Sequence, residues 1–439
     1  MDAQLVSPRS SRCPPSRRLA ACLLLGAALL VALPGCGVVV RAVTGDEERA
    51  AAAAPPAPRP LTEAERQWAE AAWAYFRANQ ALDRGPGLAN SVAGYPSSTM
   101  WELGDMLAAL VSARDIGLID APEFDRRVSP LLGFLAGMDL SFGRLPNKTY
   151  DARDGRMTRD GQPGHAGWSA VDTGRLLVWL RILAERHPAY AEYAGRAVSR
   201  LALCEAVGPD GGLMGAGPGG ATPSRYPEAS RGYGRYAAIG YRLWGIELAA
   251  QAPSGTAEVE GVALPLPAGD GVPLLSGPAL LAGMEVGFGV AWPGAAEEAA
   301  ALAEAQLRRT RAGTTTARTE FLRGSAPYFV FGTVAAGGEP WAVREPDGTP
   351  QPNLALVSTR AAFGLWALFP DRMEPVRAAV EPLHDQGRGW FEGRYERTGA
   401  HEATLSASTN AQVLEALAYR MRGPALPGAK PPPGKRCGA

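Results

Sequence analysis

Helical sequence patterns recur along most of this chain and are separated by long loops rich in Gly, Pro and aromatic residues. Apolar residues at three- and four-residue spacing predict eleven helices, at 62–79, 99–116, 122–138, 169–187, 188–207, 228–250, 276–286, 294–311, 359–369, 371–384 and 408–422. Thr99 and Ser169 each stand three residues before an acid, as the first residue of a capping box does. Consecutive amphipathic helices bury their apolar faces by packing on one another.

The number of helices and the length of the loops predict one fold class. With one further helix expected, about twelve helices form six successive hairpins, so we predict an all-α (α/α)6 six-hairpin toroid. The loops at 139–168, 208–227, 312–358 and 385–407 are long enough to carry function or small strands on one side of the ring. Residues 251–275 have spaced Val and Leu between Gly and Pro, which predicts a β-hairpin outside the ring.

The N-terminal segment predicts export. An arginine-containing stretch precedes an apolar run at 19–33, which is shorter than the roughly 20 residues that span a bilayer. The run ends in Leu33–Pro34–Gly35–Cys36, which resembles the lipobox of bacterial lipoproteins. We predict a signal peptide at 1–35 and a lipid on Cys36 that anchors the protein in the cell envelope. A signal peptide cut elsewhere and a short uncleaved anchor are the alternatives, and both also export the chain.

The remaining sequence divides by composition. We expect a flexible Ala/Pro tether at 36–60, one globular domain at 61–423 and a disordered Pro/Lys tail at 424–439. The hydrophobic content of 46% is enough for a large core. Besides Cys36 the mature chain keeps Cys204 and Cys437, and because Cys437 lies in the tail we expect no disulfide.

Charge and histidine content exclude several function classes. The chain has 44 basic and 44 acidic residues, so no net positive field attracts nucleic acid. The 4 histidines are scattered without ligand spacing, and no nucleophile-elbow or phosphate-loop pattern occurs. We therefore expect no metal, no cofactor and no nucleic-acid partner, and we expect a monomer.

Acids beside aromatic residues are the remaining candidates for chemistry. Glu102 and Asp105 lie one helical turn apart at a predicted helix start, where the alternatives are a capping box and a dipole contact. Asp172 follows Trp168 at another helix start, and pairing with Arg175 is its alternative.

Two further acidic segments lie among aromatic residues. Glu228 stands between Tyr226 and Tyr233, and we expect it to begin a helix. Glu392 and Glu396 lie in a Gly-broken aromatic segment, where ion pairs with Arg388 or Arg394 are the alternative.

Paired carboxylates next to aromatic platforms are typical of enzymes that cleave glycosidic bonds. We predict Glu228 as the general acid, because an apolar site raises the pKa of a carboxyl, and Asp105 and Asp172 as its leading partners. Glu102, Glu392 and Glu396 are further catalytic candidates. The predicted substrate-binding residues are Trp101, Asn147, Lys148, Trp168, Arg175, Tyr226, Tyr233, Trp390 and Tyr395.

Six sequence blocks together resemble a known family. They are the segments 97–105, 145–148, 167–177, 243–245, 325–330 and 389–396, and in this order they resemble the bacterial domain-of-unknown-function family 3131 from about Thr62 to Gly423. That family is similar to the glucoamylase-like six-hairpin toroids, whose members include β-1,2-glucan hydrolases. The resemblance implies this fold and activity on an oligo- or polysaccharide.

The chain departs from the family pattern at acidic positions. Glu102 stands where Asp is common, Gly232–Tyr236 lacks two carboxylates, and Phe321 replaces an Asp beside Glu320. Two functions therefore stay open: a lipid-anchored glycoside hydrolase or transglycosylase acting on a bacterial envelope or environmental glucan, and a non-catalytic glycan-binding lipoprotein in polysaccharide assembly. A structural periplasmic scaffold is a third.

Overall fold

The computed structural model describes residues 57–82, 85–220, 222–228, 232–269 and 271–437. The predicted signal peptide, Cys36 and most of the predicted tether lie outside these residues. Within them, no helix combines the length and apolar character needed to cross a membrane.

All eleven predicted helical segments contain a helix. The bounds are α1 Glu63–Asn79, α2 Met100–Ile116, α3 Ala121–Gly137, α4 Ala170–Arg186, α5 Ala191–Ser199, α6 Gly234–Leu243, α7 Gly277–Glu285, α8 Ala295–Arg311, α9 Thr359–Leu368, α10 Pro370–Ala378 and α11 Ala407–Arg422.

Three predicted helices are shorter than expected. The segment 188–207 forms 3₁₀ turns at Pro188–Tyr190 and Leu203–Ala206 on either side of α5. In the segment 228–250 the described helix is α6, Gly234–Leu243. In the segment 371–384 the helix ends at Ala378, and His384 lies in a strand.

The loops carry short strands that pair mostly antiparallel. The bounds are β1 Ser97–Ser98, β2 Leu140–Ser141, β3 Leu145–Pro146, β4 Thr149–Asp151, β5 Met157–Arg159, β6 Gln162–Pro163, β7 Met214–Gly217, β8 Ser224–Pro227, β9 Ile246–Glu247, β10 Gly255–Val259, β11 Val262–Leu266, β12 Glu320–Leu322, β13 Phe329–Gly332, β14 Ala335–Ala336, β15 Glu339–Pro340, β16 Val343–Arg344, β17 Leu356–Ser358, β18 His384–Asp385, β19 Gly389–Tyr395, β20 His401–Leu405 and β21 Lys435–Arg436.

These strands form three larger sheets and five two-stranded pairs. One sheet has the order β1-β4-β5-β6, another β12-β13-β16, and in a third β19 pairs with β17, β18 and β20. Two-stranded pairs are β2-β3, β7-β8, β10-β11, β14-β15 and the parallel pair β9-β21.

Six helices form an inner layer whose packing order closes on itself. Helix α2 packs on α4, α4 on α6, α6 on α7, α7 on α9, α9 on α11, and α11 packs back on α2. These helices are buried on nearly all sides; α2, for example, has 14 buried residues among its 17. An all-round buried helix needs a second layer to cover it.

The other helices form that outer layer. Helix α1 packs on α11 and α2, α3 and α5 cover α2 and α4, and α8 and α10 cover α7 and α9. Between α6 and α7 the described residues form no outer helix. The predicted hairpin is confirmed there as β10–β11, and it packs against α8.

Glycines allow α4 and α6 to approach closely. A Cβ atom on Gly240 would lie 2.0 Å from the carbonyl oxygen of Gly174, and a Cβ on Gly174 would lie 2.6 Å from the Cβ of Ala237. No side chain fits at such distances, so the backbones of the two helices are in direct contact.

The C-terminal segment differs from the prediction. Cys204 and Cys437 form a disulfide, which we did not expect from the sequence, and Lys435 and Arg436 pair with β9. Leu426 is also buried, and its N–H donates to the carbonyl of Glu285. The segment predicted as a disordered tail is therefore held by backbone pairing, burial and a covalent bond up to residue 437.

Candidate functional site

The N-terminal ends of several inner helices meet on the side that carries the loops. Ser408, in the first turn of α11, donates to Asp105 of α2 at 2.6 Å. Gly277 at the start of α7 lies against the hydroxyl of Tyr233, which precedes α6. Helix N-termini carry partial positive charge and stabilise carboxylates, so this side of the molecule suits acidic side chains.

A buried polar cluster, here called the central network, lies beneath these helix ends. Arg175 of α4 is 1% exposed and pairs with Asp105 at 2.6 Å, Glu285 of α7 at 2.5 Å and Glu415 of α11 at 2.8 Å. The hydroxyl of Tyr236 donates to Glu285 at 2.7 Å. The network links five inner helices through their side chains.

The central network holds more acidic groups than basic ones. Burial raises the pKa of Glu415 well above its ordinary value, and the nearby carboxylates of Glu285 and Asp105 raise it further, while Arg175 opposes this. Glu415 Oε2 is buried without a hydrogen-bond partner. The raised pKa favours the protonated form of Glu415, which carries less negative charge into the network.

Glu102 closes the capping box of α2, as the sequence allowed. Its Oε2 accepts from the backbone N–H of Thr99 at 2.8 Å and from the Thr99 hydroxyl at 2.5 Å. Burial, and secondarily the charge of Asp105, raise the pKa of Glu102, and the hydrogen bonds from Thr99 oppose the shift. Glu102 remains 7% exposed, whereas Asp105 is 1% exposed.

Glu392 of β19 lies close to Glu102 and Asp105. All three carboxylates act on the hydroxyl of Tyr75 and raise its pKa, after burial as the main cause. Glu392 accepts from the hydroxyl of Ser406 and, at 2.8 Å, from that of Thr409. Burial raises the pKa of Glu392, and the charge of Arg360 opposes the shift.

A buried ion pair that the sequence analysis left out of the site completes this side. Arg360 of α9 donates to Glu320 of β12 at 2.7 Å, and Tyr233 donates to the same oxygen at 2.7 Å. The charge of Arg360 also interacts with Glu392 and Asp105. Glu320 and Arg360 therefore belong to the same group of charges.

Trp101 is the aromatic residue best placed at this site. It is half-buried, its ring meets that of Tyr233 edge-on at a centroid distance of 4.9 Å, and it lies 5.0 Å above the guanidinium of Arg175. Asp172 is also half-buried and lies one turn before Arg175 on α4. We call Trp101, Glu102, Asp172, Tyr233, Glu320 and Glu392 the rim.

Glu228 has a different environment from the predicted one. It ends β8 and caps α4, because its Oε2 accepts from the backbone N–H groups of Ala170 at 2.5 Å and Val171 at 3.3 Å. The contacts therefore support a capping role, and its role as general acid stays a prediction.

Glu396 is enclosed by arginines. It pairs with Arg318 at 2.8 Å and with Arg309 at 3.1 Å. The ion-pair alternative is thus the observed arrangement, although with different partners from Arg388 and Arg394. Glu396 lies outside the rim.

Several predicted substrate-binding residues are buried in structural roles. Trp168 and Trp390 are 0% exposed, and their indole N–H groups donate to the carbonyls of Met214 and Trp68. A fully buried indole has no free face for a sugar, so both predictions are wrong. Arg175 is likewise enclosed in the central network.

Asn147 and the remaining predicted residues lie in the loops. The Asn147 amide is buried and donates to the carbonyls of Thr149 and Thr158, so it braces a loop. Lys148 lies 5.1 Å above the ring of Tyr226, and Tyr395 donates to Glu402 at 2.5 Å. Both tyrosines are half-buried.

Glu285, Glu415, Glu320 and Arg360 were missed by the sequence analysis. Glu285 ends a helix of otherwise apolar residues and Gly, and Glu415 interrupts a run of Val, Leu and Ala along its helix. An acid within such a pattern is a signal for a paired buried charge. No comparable local signal marks Glu320, whose partner is 40 residues away.

Two surface pockets lie away from the rim. One of about 480 Å³ lies between α1, α10 and the end of α11, and one of about 620 Å³ lies between α3 and α5. Within the described residues no group of His, Cys, Asp and Glu has the arrangement of a metal site.

Comparisons with known proteins agree with this description. Residues 67–423 match the model of a family described as "Protein of unknown function (DUF3131)". A proposed glucoamylase from Bacteroides caccae superposes with a TM-score of 0.58 at 14% identity, covering 82% of this chain and 93% of its own. No curated protein matches the sequence.

Two endo-β-1,2-glucanases are also similar in structure. The enzyme from Chitinophaga pinensis, bound to sophorotriose and glucose, gives a TM-score of 0.57 at 12% identity over 83% of this chain and 94% of that one. The enzyme from Talaromyces funiculosus, bound to sophorose, gives 0.56 at 11% identity over 82% and 84%. Similarity at these identities shows a shared fold.

Proposed function

The chain belongs to the DUF3131 family, and we propose that it is an exported lipoprotein with an (α/α)6 toroid that cleaves a glucan at the rim. The rim brings together acids from two inner helices and two loop strands beside Trp101 and Tyr233. This convergence of carboxylates next to aromatic rings is the observation that carries the proposal. The closed packing order of the inner helices supports the toroid, with the β10–β11 hairpin in the position of the twelfth helix.

Glu102 is the proton donor in this proposal. It is buried but keeps 7% of its surface exposed, it lies beside Trp101, and its raised pKa keeps a proton available above the range of an ordinary glutamate. Asp105 is almost fully buried, so we assign it a positioning role through Arg175.

Asp172 is the proposed base. Glu102 and Asp172 are both the third residue of their helices, α2 and α4, which pack side by side. Packed helices have axes about 8–10 Å apart. An inverting mechanism needs two carboxyl groups about 6.5–9.5 Å apart, with room for a water molecule between them, and this is the separation that the proposal requires of Glu102 and Asp172.

The test is glucan hydrolysis by purified protein, measured as reducing ends released from a panel of glucans that includes β-1,2-glucan. We expect Glu102→Gln and Asp172→Asn to lose at least about a hundredfold in kcat while still binding glucan. Glu123→Gln is the matched control, since Glu123 pairs with Arg126 and Arg127 on α3, outside the rim. Near-normal turnover in both rim variants would refute these roles and direct the search to Glu228, Glu320 and Glu392.

A non-catalytic glycan-binding lipoprotein is the second candidate. It is favoured by the capping role of Glu228 and the enclosure of Glu396, which leave fewer acids for catalysis. Glucan binding without product from the parent protein, on every glucan of the panel, would establish this function over hydrolysis.

The envelope location is proposed from Cys36 and its preceding residues. Cys36→Ala should abolish metabolic labelling with a radioactive fatty acid and leave unprocessed or released protein. Unchanged labelling of this variant would contradict a lipid at this position.

A further inference from the structure

Three large apolar side chains are more than half exposed among the described residues. They are Tyr95 at 53%, Tyr193 at 51% and Tyr328 at 67%. Tyr193 lies on the outer helix α5, beside Arg196. Tyr95 and Tyr328 lie in loops that are linked to Glu392 through hydrogen bonds.

Tyr95 is joined to Glu392 through the start of α11. Its N–H donates to the carbonyl of Val92 at 2.9 Å, and Val92 forms a bridge with Ser406. The hydroxyl of Ser406 donates to Glu392. Tyr95 therefore lies on a turn fixed to the same residue that positions the carboxylate.

Tyr328 is joined to Glu392 from the other side. Its carbonyl accepts from the N–H of Arg323 at 2.9 Å. The preceding residue, Leu322, directs its own N–H to Glu392 at 3.4 Å. Glu392 thus receives one hydrogen bond from the segment that carries Tyr328 and one from Ser406, which pairs with the turn that carries Tyr95.

Both loops also contact consecutive residues of β20. Ala93 donates to the carbonyl of Leu405 at 2.9 Å, and Gly324 donates to the hydroxyl of Thr404 at 2.7 Å. The guanidinium of Arg323 fixes the second loop by donating to the carbonyl of Ala326 at 2.9 Å. The loops that carry Tyr95 and Tyr328 are therefore fixed by hydrogen bonds to neighbouring residues of the same strand.

We infer that Tyr95 and Tyr328 form a saccharide-binding platform on either side of Glu392, which holds glucan units beyond those at the rim carboxylates. A tyrosine ring offers an apolar face and a polar hydroxyl, which match the apolar face and hydroxyls of a sugar ring. The backbone of both loops is already hydrogen-bonded without ligand, so binding does not require the loops to fold. This inference rests on the proposed function.

The experiment uses full-length protein carrying Glu102→Gln, so that substrate is not consumed, and measures its affinity for β-1,2-glucooligosaccharides of increasing length by calorimetry. Tyr95→Ala and Tyr328→Ala should each weaken binding of the longer oligosaccharides by about tenfold. Binding of the disaccharide should not change, because it does not reach the platform. Tyr193→Ala is the matched control and should bind like the parent.

Tyr95→Phe and Tyr328→Phe should retain most of the affinity, since they keep the ring. The platform is overturned if the alanine variants bind long oligosaccharides as the Tyr193→Ala control does, or if they lose the disaccharide equally. In both cases the parent still binds glucan, and the proposed function stands. A parent that binds no glucan of any length overturns the proposed function and the platform together.

Discussion

Glu102 and Glu228 are both held at the start of an inner helix, Glu102 by Thr99 and Glu228 by backbone N–H groups of α4. Glu228 stands between two tyrosines in the sequence, yet it caps α4 and accepts backbone N–H groups. Glu102 has the sequence of a helix cap, and it is one, but burial also raises its pKa. The sequence predicted a helix start at both residues, but it could not distinguish their roles, because the partners that hold Glu228 are more than 50 residues away.

At the residue scale we predict that Glu415→Gln reduces the pH dependence of stability. Burial raises the folded-state pKa of Glu415 above its unfolded value, so the folded protein binds more protons, and this stability is full below about pH 4 and falls as pH rises towards the folded pKa. One proton accounts for at most about 1.4 kcal/mol per pH unit. Glutamine does not ionise, so it removes this loss, and its amide still offers N–H and C=O groups for hydrogen bonds.

The measurement is the free energy of unfolding from urea titrations at several values between pH 4 and pH 8. The parent should lose more stability than Glu415→Gln as pH rises. Glu205→Gln, at a half-exposed surface pair with Arg144, serves as control and should follow the parent. Parallel curves for parent and Glu415→Gln would show that the proton lies elsewhere.

At the scale of elements, periodicity predicted where helices occur better than where they begin. The apolar pattern predicted a helix over 228–250, whereas the described helix α6 spans Gly234–Leu243. The sequence patterns of α4 and α6 do not show how closely these two helices pack. The contact between Gly240 and Gly174 depends on two segments 66 residues apart that meet only in the folded chain.

We predict opposite effects of two glycine-to-alanine substitutions in helices. Gly240→Ala should cost about 1–3 kcal/mol of the free energy of unfolding, because its Cβ would meet the backbone of α4. Gly195→Ala on α5 has no atom within 4 Å of the added carbon and should stabilise by about 0.5–1 kcal/mol. Urea denaturation measures both; equal effects would contradict the close packing of α4 and α6.

At the scale of the whole molecule, the family resemblance predicted the general fold, but the sequence did not predict how the C-terminal segment is fixed. Cys437 follows a Pro-rich stretch that reads as disordered, and its partner Cys204 is 233 residues away. Only the folded chain places the 3₁₀ turn at Leu203–Ala206 beside the strand pair β9–β21. Cysteine counting from the sequence could not supply this proximity.

We predict that loss of this disulfide lowers stability by about 2–5 kcal/mol, since it closes a long loop and restricts the unfolded chain. Thermal unfolding with and without a reducing agent measures the effect. The double variant Cys204→Ser with Cys437→Ser should match the reduced parent and should not respond to reductant. A parent whose unfolding is unaffected by reduction would contradict a structural role for the bond.

The N–H of Arg59 donates to the carbonyl of Arg420 at 3.1 Å, in the last turn of α11, whereas the rim residue Glu392 contacts the first turn of the same helix. These two ends are separated by about 24 Å, the length of 16 helical residues. Arg59 therefore lies at the end of α11 that is remote from the rim. If the lipid that we propose on Cys36 anchors the protein, the tether joins the domain on the side away from the rim, so a long or surface-bound polymer can reach the rim without meeting the point of attachment.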